Sequence, residues 1–307
     1  MTNQDVQAVS ANGTQIAYEF YGEPQAPVIL LIHGLGMPMT GWPMGIVDKL
    51  VAEGFRVLRI DNRDQGKSEK FDQLPVPNML WQFLKLKIGL SVSAPYELTE
   101  LMKDTLGVLD ALKIDSVHVV GVSMGGMISQ LLAINAPSRV KTLTSIMSTT
   151  GNRKIPGPDK SVSAHLIKKP IIKTKQDVID YHIKTWQLIG SPAYQPKPEQ
   201  LKMYVAELMD RGMSAPGTAR QMLAILAAPN RVKDLSRLRM PCQIIHGIDD
   251  LLVRVEGGID TAKAIPQAEQ HLISGMGHDL PVELHEQICG LIVKQAKSQE
   301  EKLKATL

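Results

Sequence analysis

The length and composition of the chain limit what it can be. It has 307 residues, of which 44% are hydrophobic and 21% charged, as in a soluble globular protein of one large domain or one domain with a sizeable insertion. The net charge of +3 comes from 34 basic and 31 acidic residues. So small an excess argues against nucleic acid or an anionic membrane as the main partner. The two cysteines, Cys242 and Cys289, are too few for a disulfide framework or a cysteine metal cluster, and we interpret both as buried thiols.

The sequence contains no recognisable targeting or anchoring segment. The first residues, MTNQDVQAVSANG, lack the basic region followed by an apolar run that a secretory signal needs. No stretch approaches the ~20 apolar residues of a membrane span. We therefore expect a cytoplasmic protein with no stable membrane anchoring and no nucleic-acid partner. No pattern in the sequence predicts an oligomeric state.

The chain opens with a predicted β-hairpin. Its runs VQAVS and QIAYEFY flank Asn12-Gly13, a dipeptide that favours a type I′ turn. Short apolar runs follow at 28–32, 55–60, 117–122, 141–147, 242–246 and 270–274. Such runs are typical of strands buried on both faces of a parallel sheet. Segments of helical spacing separate them, so we predict a doubly wound, mostly parallel α/β sheet.

Residues 148–237 interrupt this alternation. They contain prolines, lysines and amphipathic pieces such as KQDVIDYHIKTWQLI, but no convincing buried strand. We therefore predict a helical cap at 148–237, inserted between a first core part at 1–147 and a second at 238–307. An extra apolar segment at 71–98 belongs to the first part, and its centre, MLWQFLKLKIGLSV, fits helical and strand spacing equally.

The stretch HVVGVSMGG contains the pattern G-x-S-x-G at the end of an apolar run. Gly121 and Gly125 lie two residues before and after Ser123, as in a nucleophile elbow, where the turn leaves no room for larger side chains. Such a turn holds the serine in a strained conformation at a helix N-terminus, where free N–H groups can stabilise an anion. The elbow pattern therefore identifies Ser123 as the candidate nucleophile.

A serine nucleophile needs a base and an acid beyond the carboxyl ends of the strands. Of the eight histidines, His33 and His278 follow strand runs in glycine-rich loops; His33 belongs to a separate motif, and we predict His278 as the general base. The run CQIIH is followed by Asp249 and Asp250, and spacing does not separate these two candidates for the acid. The aspartate that is not used is expected to be a turn or N-cap residue.

An oxyanion hole requires two backbone N–H groups directed at the developing charge. One is expected from Met124, directly after Ser123, and the other from Leu35 in the loop HGLGMP after the first parallel run. His33 and Gly34 in the same loop are candidates for the substrate pocket, although packing within the loop is the simpler interpretation of the His33 side chain.

Five motifs in this order resemble the α/β-hydrolase superfamily, in its capped branch with a serine nucleophile. They are HGLG (33–36), DNRDQGKS (61–68), GVSMGG (121–126), HGIDD (246–250) and GMGH (275–278). The resemblance implies an eight-stranded sheet and an acid four residues after the histidine of the second HG pair, which favours Asp250. The C-terminal part is also similar to small-ester hydrolases of the aclacinomycin methylesterase type.

Two features depart from the family pattern. The family's arginine loop, here residues 61–68, usually reads D-x-R-G-x-G-x-S. In this chain Asp64 replaces the first glycine, a change that we expect to affect only the local shape of the loop. The segment 71–98 is longer than in many relatives. Its Trp81 and Phe83 either form a wall of an apolar substrate pocket or pack the segment on the cap.

We therefore predict a serine hydrolase that cleaves small to medium or apolar carboxylic esters through an acyl-enzyme. Its partner is a small-molecule ester, and the mechanism requires no metal or organic cofactor. A lactonase, a carbon–carbon bond hydrolase and a cofactor-free perhydrolase share this fold and triad and remain alternatives. A non-catalytic ligand-binding homologue is a remote alternative, since all three triad positions are filled.

Overall fold

The computed structural model describes residues 7–167 and 173–306, which contain one eight-stranded sheet. The strands are β1 (Gln7–Ala11), β2 (Thr14–Tyr21), β3 (Val28–Ile32), β4 (Arg56–Ile60), β5 (Val117–Val122), β6 (Val140–Ile146), β7 (Cys242–Gly247) and β8 (Glu269–Ile273). Their order across the sheet is β1-β2-β4-β3-β5-β6-β7-β8. β2 is antiparallel to both of its neighbours, and β3 to β8 pair in parallel. This confirms the predicted mostly parallel sheet.

The N-terminal hairpin forms where the sequence predicts it. Asn12 and Gly13 connect β1 to β2 with φ values of 50° and 73°. Both lie in the left-handed region that a type I′ turn requires, and this turn matches the twist of the two strands.

Helices cover both faces of the sheet. They are α1 (Met44–Ala52), α2 (Met79–Lys87), α3 (Leu98–Ala111), α4 (Met124–Asn135), α5 (Lys160–Ile167), α6 (Lys175–Ile189), α7 (Pro198–Arg211), α8 (Ala215–Ala227), α9 (Val232–Leu235), α10 (Glu256–Ala264) and α11 (His285–Thr306). Successive side chains of a strand point to opposite faces. In β3, Leu30 and Ile32 accordingly join the core cluster beneath α3 and α4, whereas Ile29 and Leu31 join the one beneath α1 and α11.

The described part of the interval between β6 and β7 is helical. It contains α5 to α9, and no residue of 148–167 or 173–237 is in a strand. Several of these helices contact the rest of the protein: α7 touches a short 3-10 helix at Met39–Gly41, α8 packs on α2 and α3, and α9 packs on α4 and α10. We propose that this interval is a cap inserted into the core.

The apolar segment after the arginine loop adopts the helical alternative of its two predicted conformations. Its centre forms α2, whose first turn is capped by the Asn78 side chain accepting a hydrogen bond from the Trp81 amide. No helix within 7–167 or 173–306 has both the length and the apolar character needed to cross a membrane.

Candidate functional site

Ser123 lies in a sharp turn between β5 and α4. Its φ of 56° and ψ of −118° are unfavourable for a residue with a side chain, so the surrounding bonds must hold it there. Its amide donates to the Ile146 carbonyl at 2.9 Å, and its own carbonyl accepts from the Ser148 hydroxyl at 2.7 Å. The serine is half-buried at the carboxyl end of the central strand, where a ligand can approach it.

The two flanking glycines allow the strand and the helix to approach closely. A β-carbon at Gly121 would lie 2.2 Å from the carbonyl oxygen of Gly125. A β-carbon at Gly125 would lie 2.1 Å from the carbonyl oxygen of Ile32 at the end of β3. Both distances are far below van der Waals contact, so any larger residue at either position would displace the turn that carries Ser123.

The structure brings Ser123, His278 and Asp250 into one hydrogen-bonded row. His278 Nε2 lies 3.0 Å from Ser123 Oγ, and His278 Nδ1 lies 2.7 Å from Asp250 Oδ2. An ionised carboxylate can only accept, so Nδ1 carries the ring proton and Nε2 is free to accept from the serine hydroxyl. This arrangement has the connectivity of a nucleophile, a base and an orienting acid.

The two adjacent aspartates after β7 have different partners. Asp250 is buried, accepts from the amides of Leu252 and Val253, and faces His278. Asp249 instead accepts from the Gly275 amide at 2.7 Å and so fixes the loop that leads to His278. Of the two candidates that spacing left open, Asp250 is therefore the one in contact with the histidine, and Asp249 has the role of a turn residue.

A second histidine borders Asp250. His246 is fully buried, donates from Nε2 to the Val253 carbonyl at 2.7 Å, and lies 3.6 Å from Asp250 Oδ2. Burial by itself would raise the pKa of Asp250, but the neighbouring His278 and His246 lower it to about 2. The carboxylate therefore stays ionised at any pH at which the protein is expected to work.

Two free backbone amides lie where an oxyanion hole is expected. Within the described residues, the amides of Leu35 and Met124 donate to no protein acceptor. The loop that carries Leu35 passes directly over the serine, because a β-carbon at Gly34 would lie 3.0 Å from Ser123 Cβ. Met124 is the first residue of α4, so its amide belongs to the unsatisfied N-terminal turn of that helix.

His33 is the first residue of this loop. Its buried ring packs edge-to-face on Trp42 with 5.7 Å between ring centroids, and Nδ1 accepts from the Gly34 amide. Burial lowers the pKa of His33 to about 4, which keeps the ring neutral. These contacts favour the loop-packing interpretation over a place in the substrate pocket.

Among the described residues, no hydrogen bond or ring contact joins Trp81 or Phe83 to Ser123 or His278. Both are exposed on the outer side of α2. Their role as a pocket wall stays a prediction.

Two side chains that the sequence did not identify hold the His278 loop. Ser191, just after α6, donates through its amide and its hydroxyl to the Asp279 carboxylate. The same hydroxyl accepts from the Gly277 amide at 2.9 Å, and the His278 amide donates to the Ile189 carbonyl at 2.7 Å. Asp279 adjoins His278 in the sequence, but no pattern there pairs it with a serine 88 residues earlier.

Gln221 of α8 holds the opposite loop. It is fully buried, and its Oε1 accepts from the Gly36 amide at 2.9 Å while its Nε2 donates to the Arg63 carbonyl at 2.8 Å. Gly36 directly follows Leu35, so the glutamine fixes the backbone beside the candidate oxyanion donor. The helices between β6 and β7 thus bond to the loops on both sides of Ser123.

Asp64, which stands where the family pattern has a glycine, bonds the arginine loop to one of the inserted helices. It adopts φ 71°, in the left-handed region that glycine favours. Its carboxylate accepts from Arg220 Nε at 2.9 Å and Nη2 at 2.6 Å, and from the Tyr96 hydroxyl at 2.7 Å. The expected effect on the local loop shape stays a prediction. The residue forms a buried ion pair with Arg220 of α8.

Among the residues that the structure describes, no three His, Cys, Asp or Glu side chains are arranged to hold a metal ion. Cys242 and Cys289 are buried free thiols, as the sequence predicted, and burial raises the pKa of each to about 12.

Comparison with known proteins agrees with the fold described above. Residues 27–283 match the family model described as the alpha/beta hydrolase fold. The chain belongs to the α/β-hydrolase fold family. This confirms the resemblance that the five motifs carry.

The relatives are hydrolases of more than one kind. Rhodomycin D methylesterase DauP of Streptomyces sp. (strain C5) is 27% identical over 91% of this chain and 94% of its own length. The 2-hydroxy-6-oxononadienedioate/2-hydroxy-6-oxononatrienedioate hydrolase of Cupriavidus pinatubonensis is 26% identical over 82% of this chain and 81% of its own length. The enol-lactonase of Burkholderia xenovorans LB400 superposes with a TM-score of 0.71 at 24% identity, covering 95% of this chain and all of that one. The proteins similar in sequence to this chain therefore include a methylesterase and an oxononadienedioate hydrolase, and an enol-lactonase shares its fold.

Proposed function

We propose that this protein is a serine hydrolase that cleaves carboxylic esters through an acyl-enzyme. The observation that carries the proposal is the row formed by Ser123 Oγ, His278 and Asp250, with separations of 3.0 and 2.7 Å. The similarity to a methylesterase over nearly the whole chain supports an ester as the substrate class.

The acylation half of the reaction follows from the positions of these atoms. Ser123 Oγ attacks the ester carbonyl carbon while its proton moves to His278 Nε2. Asp250 stabilises the imidazolium that forms, and its low pKa keeps it negatively charged throughout. The amides of Leu35 and Met124 donate to the carbonyl oxygen as it becomes negative.

The second half releases both products. His278 returns the proton to the alkoxide oxygen, so the carbon–oxygen bond breaks and the alcohol leaves. Water then gives a proton to the same nitrogen and attacks the acyl-enzyme, and the carboxylic acid departs as Ser123 is protonated again. Every proton that moves is accounted for by one serine, one histidine and one water.

The experiment that tests the proposal is labelling with a fluorophosphonate, followed by mass mapping of the modified peptide. We expect the label on Ser123 and turnover of p-nitrophenyl esters. Ser123→Ala should lose at least about 10³-fold in kcat and take up no label, since removal of a triad member leaves only residual catalysis. Labelling of Ser123→Ala at the same rate would contradict the assignment.

A carbon–carbon or lactone hydrolase is the second candidate function, and the named relatives favour it specifically. The two functions share a triad, so only substrates separate them. A series of p-nitrophenyl esters of increasing chain length should be run beside an enol-lactone and a 2-hydroxy-6-oxodienoate. Labelling of Ser123 together with hydrolysis of the last two alone would replace the esterase proposal with this one.

A further inference from the structure

Helix α2 exposes its apolar side to solvent. Leu80, Leu84 and the C-cap residue Ile88 recur every four residues and therefore lie on one face, which Trp81 and Phe83 widen. Leu80 is 75% exposed, Ile88 61% and Trp81 52%. We call these five residues the α2 face. Single exposed apolar residues are normal on a protein surface, but this many neighbours on one short helix form a patch that indicates an interaction.

On its less exposed side, α2 buries one polar residue and half-buries the apolar Met79 and Leu86. Gln82 is the buried residue of the helix, and its Oε1 accepts from the Ser93 amide at 2.9 Å. A surface helix normally buries its apolar stripe and exposes its polar side chains. In α2 a polar residue is buried while Leu80 and Leu84 are exposed, so these leucines are available for a contact outside the molecule.

The charge around the α2 face is positive. Residues 73–95 include Lys85 and Lys87 and contain no aspartate or glutamate. Of the two bordering acids, Asp72 pairs with Arg220, and Glu97 lies beyond the end of this stretch. A partner that matches both the apolar side chains and the lysines has an apolar interior and anionic groups at its surface.

We propose that the α2 face docks reversibly on an anionic lipid surface. The leucines and Ile88 enter the boundary of the acyl chains, Trp81 lies at the headgroup level, and Lys85 and Lys87 meet lipid phosphates. A second copy of the chain is a poorer occupant, because a symmetric contact would bring the same lysines against each other. The small overall charge does not oppose this docking, since only charges within about 10 Å of the surface act on it.

The docking assigns a role to Trp81 and Phe83 that differs from a wall of the substrate pocket. It also places the lipid beside the inserted helices, because α2 packs on α8. The inference rests on exposure and charge alone and depends on none of the catalytic assignments.

The test is co-sedimentation of the full chain with vesicles of equal parts phosphatidylglycerol and phosphatidylcholine. We expect Leu80→Ser/Ile88→Ser to weaken binding about tenfold or more, since two large apolar side chains no longer leave water. The matched control is Met203→Ser/Val282→Ser, which replaces two side chains of similar exposure, 73% and 68%, on other parts of the surface and should bind like wild type.

Charge and fluorescence provide two further readouts. Binding should weaken several-fold on pure phosphatidylcholine and with Lys87→Glu, and Trp81 fluorescence should shift to the blue on binding, a shift absent in Trp81→Phe. Equal binding by wild type and Leu80→Ser/Ile88→Ser would overturn the proposal. So would an absence of vesicle binding together with a wild-type dimer that this variant dissociates, as measured by analytical ultracentrifugation.

Discussion

Asp249 and Asp250 are adjacent in the chain and both follow β7, but their carboxylates face different loops. Asp250 contacts His278, and Asp249 accepts from the Gly275 amide. Sequence spacing could not separate them. Adjacent residues lie at nearly the same distance from His278 along the chain, but their side chains point in different directions. The family resemblance favoured Asp250, and the hydrogen bonds agree with it.

This pair provides a test in which each variant controls for the other. Asp250→Asn should lower kcat about 10³- to 10⁴-fold with the fold intact, because an amide does not fix the His278 tautomer. Asp249→Asn should change kcat by only a few-fold, since its amide oxygen can still accept from Gly275. Ester hydrolysis by the two purified variants measures both effects, and the opposite ranking would assign the acid to Asp249.

At the scale of elements, the loops around Ser123 depend on helices far away in the sequence. Ser191 follows α6 and holds the His278 loop, whereas Gln221 of α8 holds the Leu35 loop. The strands, the elbow and the helical interval could be predicted, because apolar periodicity and turn residues are local signals. The partners Ser191 and Gln221 could not, because an amphipathic pattern shows which face of a helix is buried and not which loop it meets.

Gln221 is therefore the residue through which α8 is expected to affect catalysis. Gln221→Leu should lower kcat roughly 10- to 100-fold with KM changed little, since a displaced Leu35 amide stabilises the oxyanion less well. Gln187→Leu on the exposed surface of α6 is the matched control and should keep wild-type kcat. A loss confined to KM would indicate that Gln221 shapes the substrate site instead of the oxyanion loop.

The stability of the whole molecule is expected to depend on pH through buried neutral histidines. His118 is fully buried between Thr142 and Glu300, and burial lowers its pKa to about 4 although Glu300 opposes the shift. The unfolded chain, with an ordinary histidine pKa of 6.5, therefore takes up the proton first as the pH falls. Stability from this residue is complete above pH 6.5 and is lost progressively down to about pH 4.

His118→Gln tests this dependence, because glutamine can still bond to both neighbours but does not titrate. Between pH 7 and 5 the wild type should lose about 2 kcal/mol more free energy of unfolding than the variant. Urea denaturation of both proteins at the two pH values measures the difference. Parallel losses in the two proteins would show that His118 is not a source of acid sensitivity.

The hydrogen bonds from the inserted helices to both loops have a consequence for how substrate preference can change in this protein. If the inserted segment only covered a pocket, it could be exchanged for that of a relative without loss of catalysis by the core residues. Here an exchanged segment would also need a hydroxyl in place of Ser191 and an amide in place of Gln221. Exchange of the whole segment is therefore expected to change selectivity and turnover together. Single substitutions on the inner surface of these helices are expected to change one without the other.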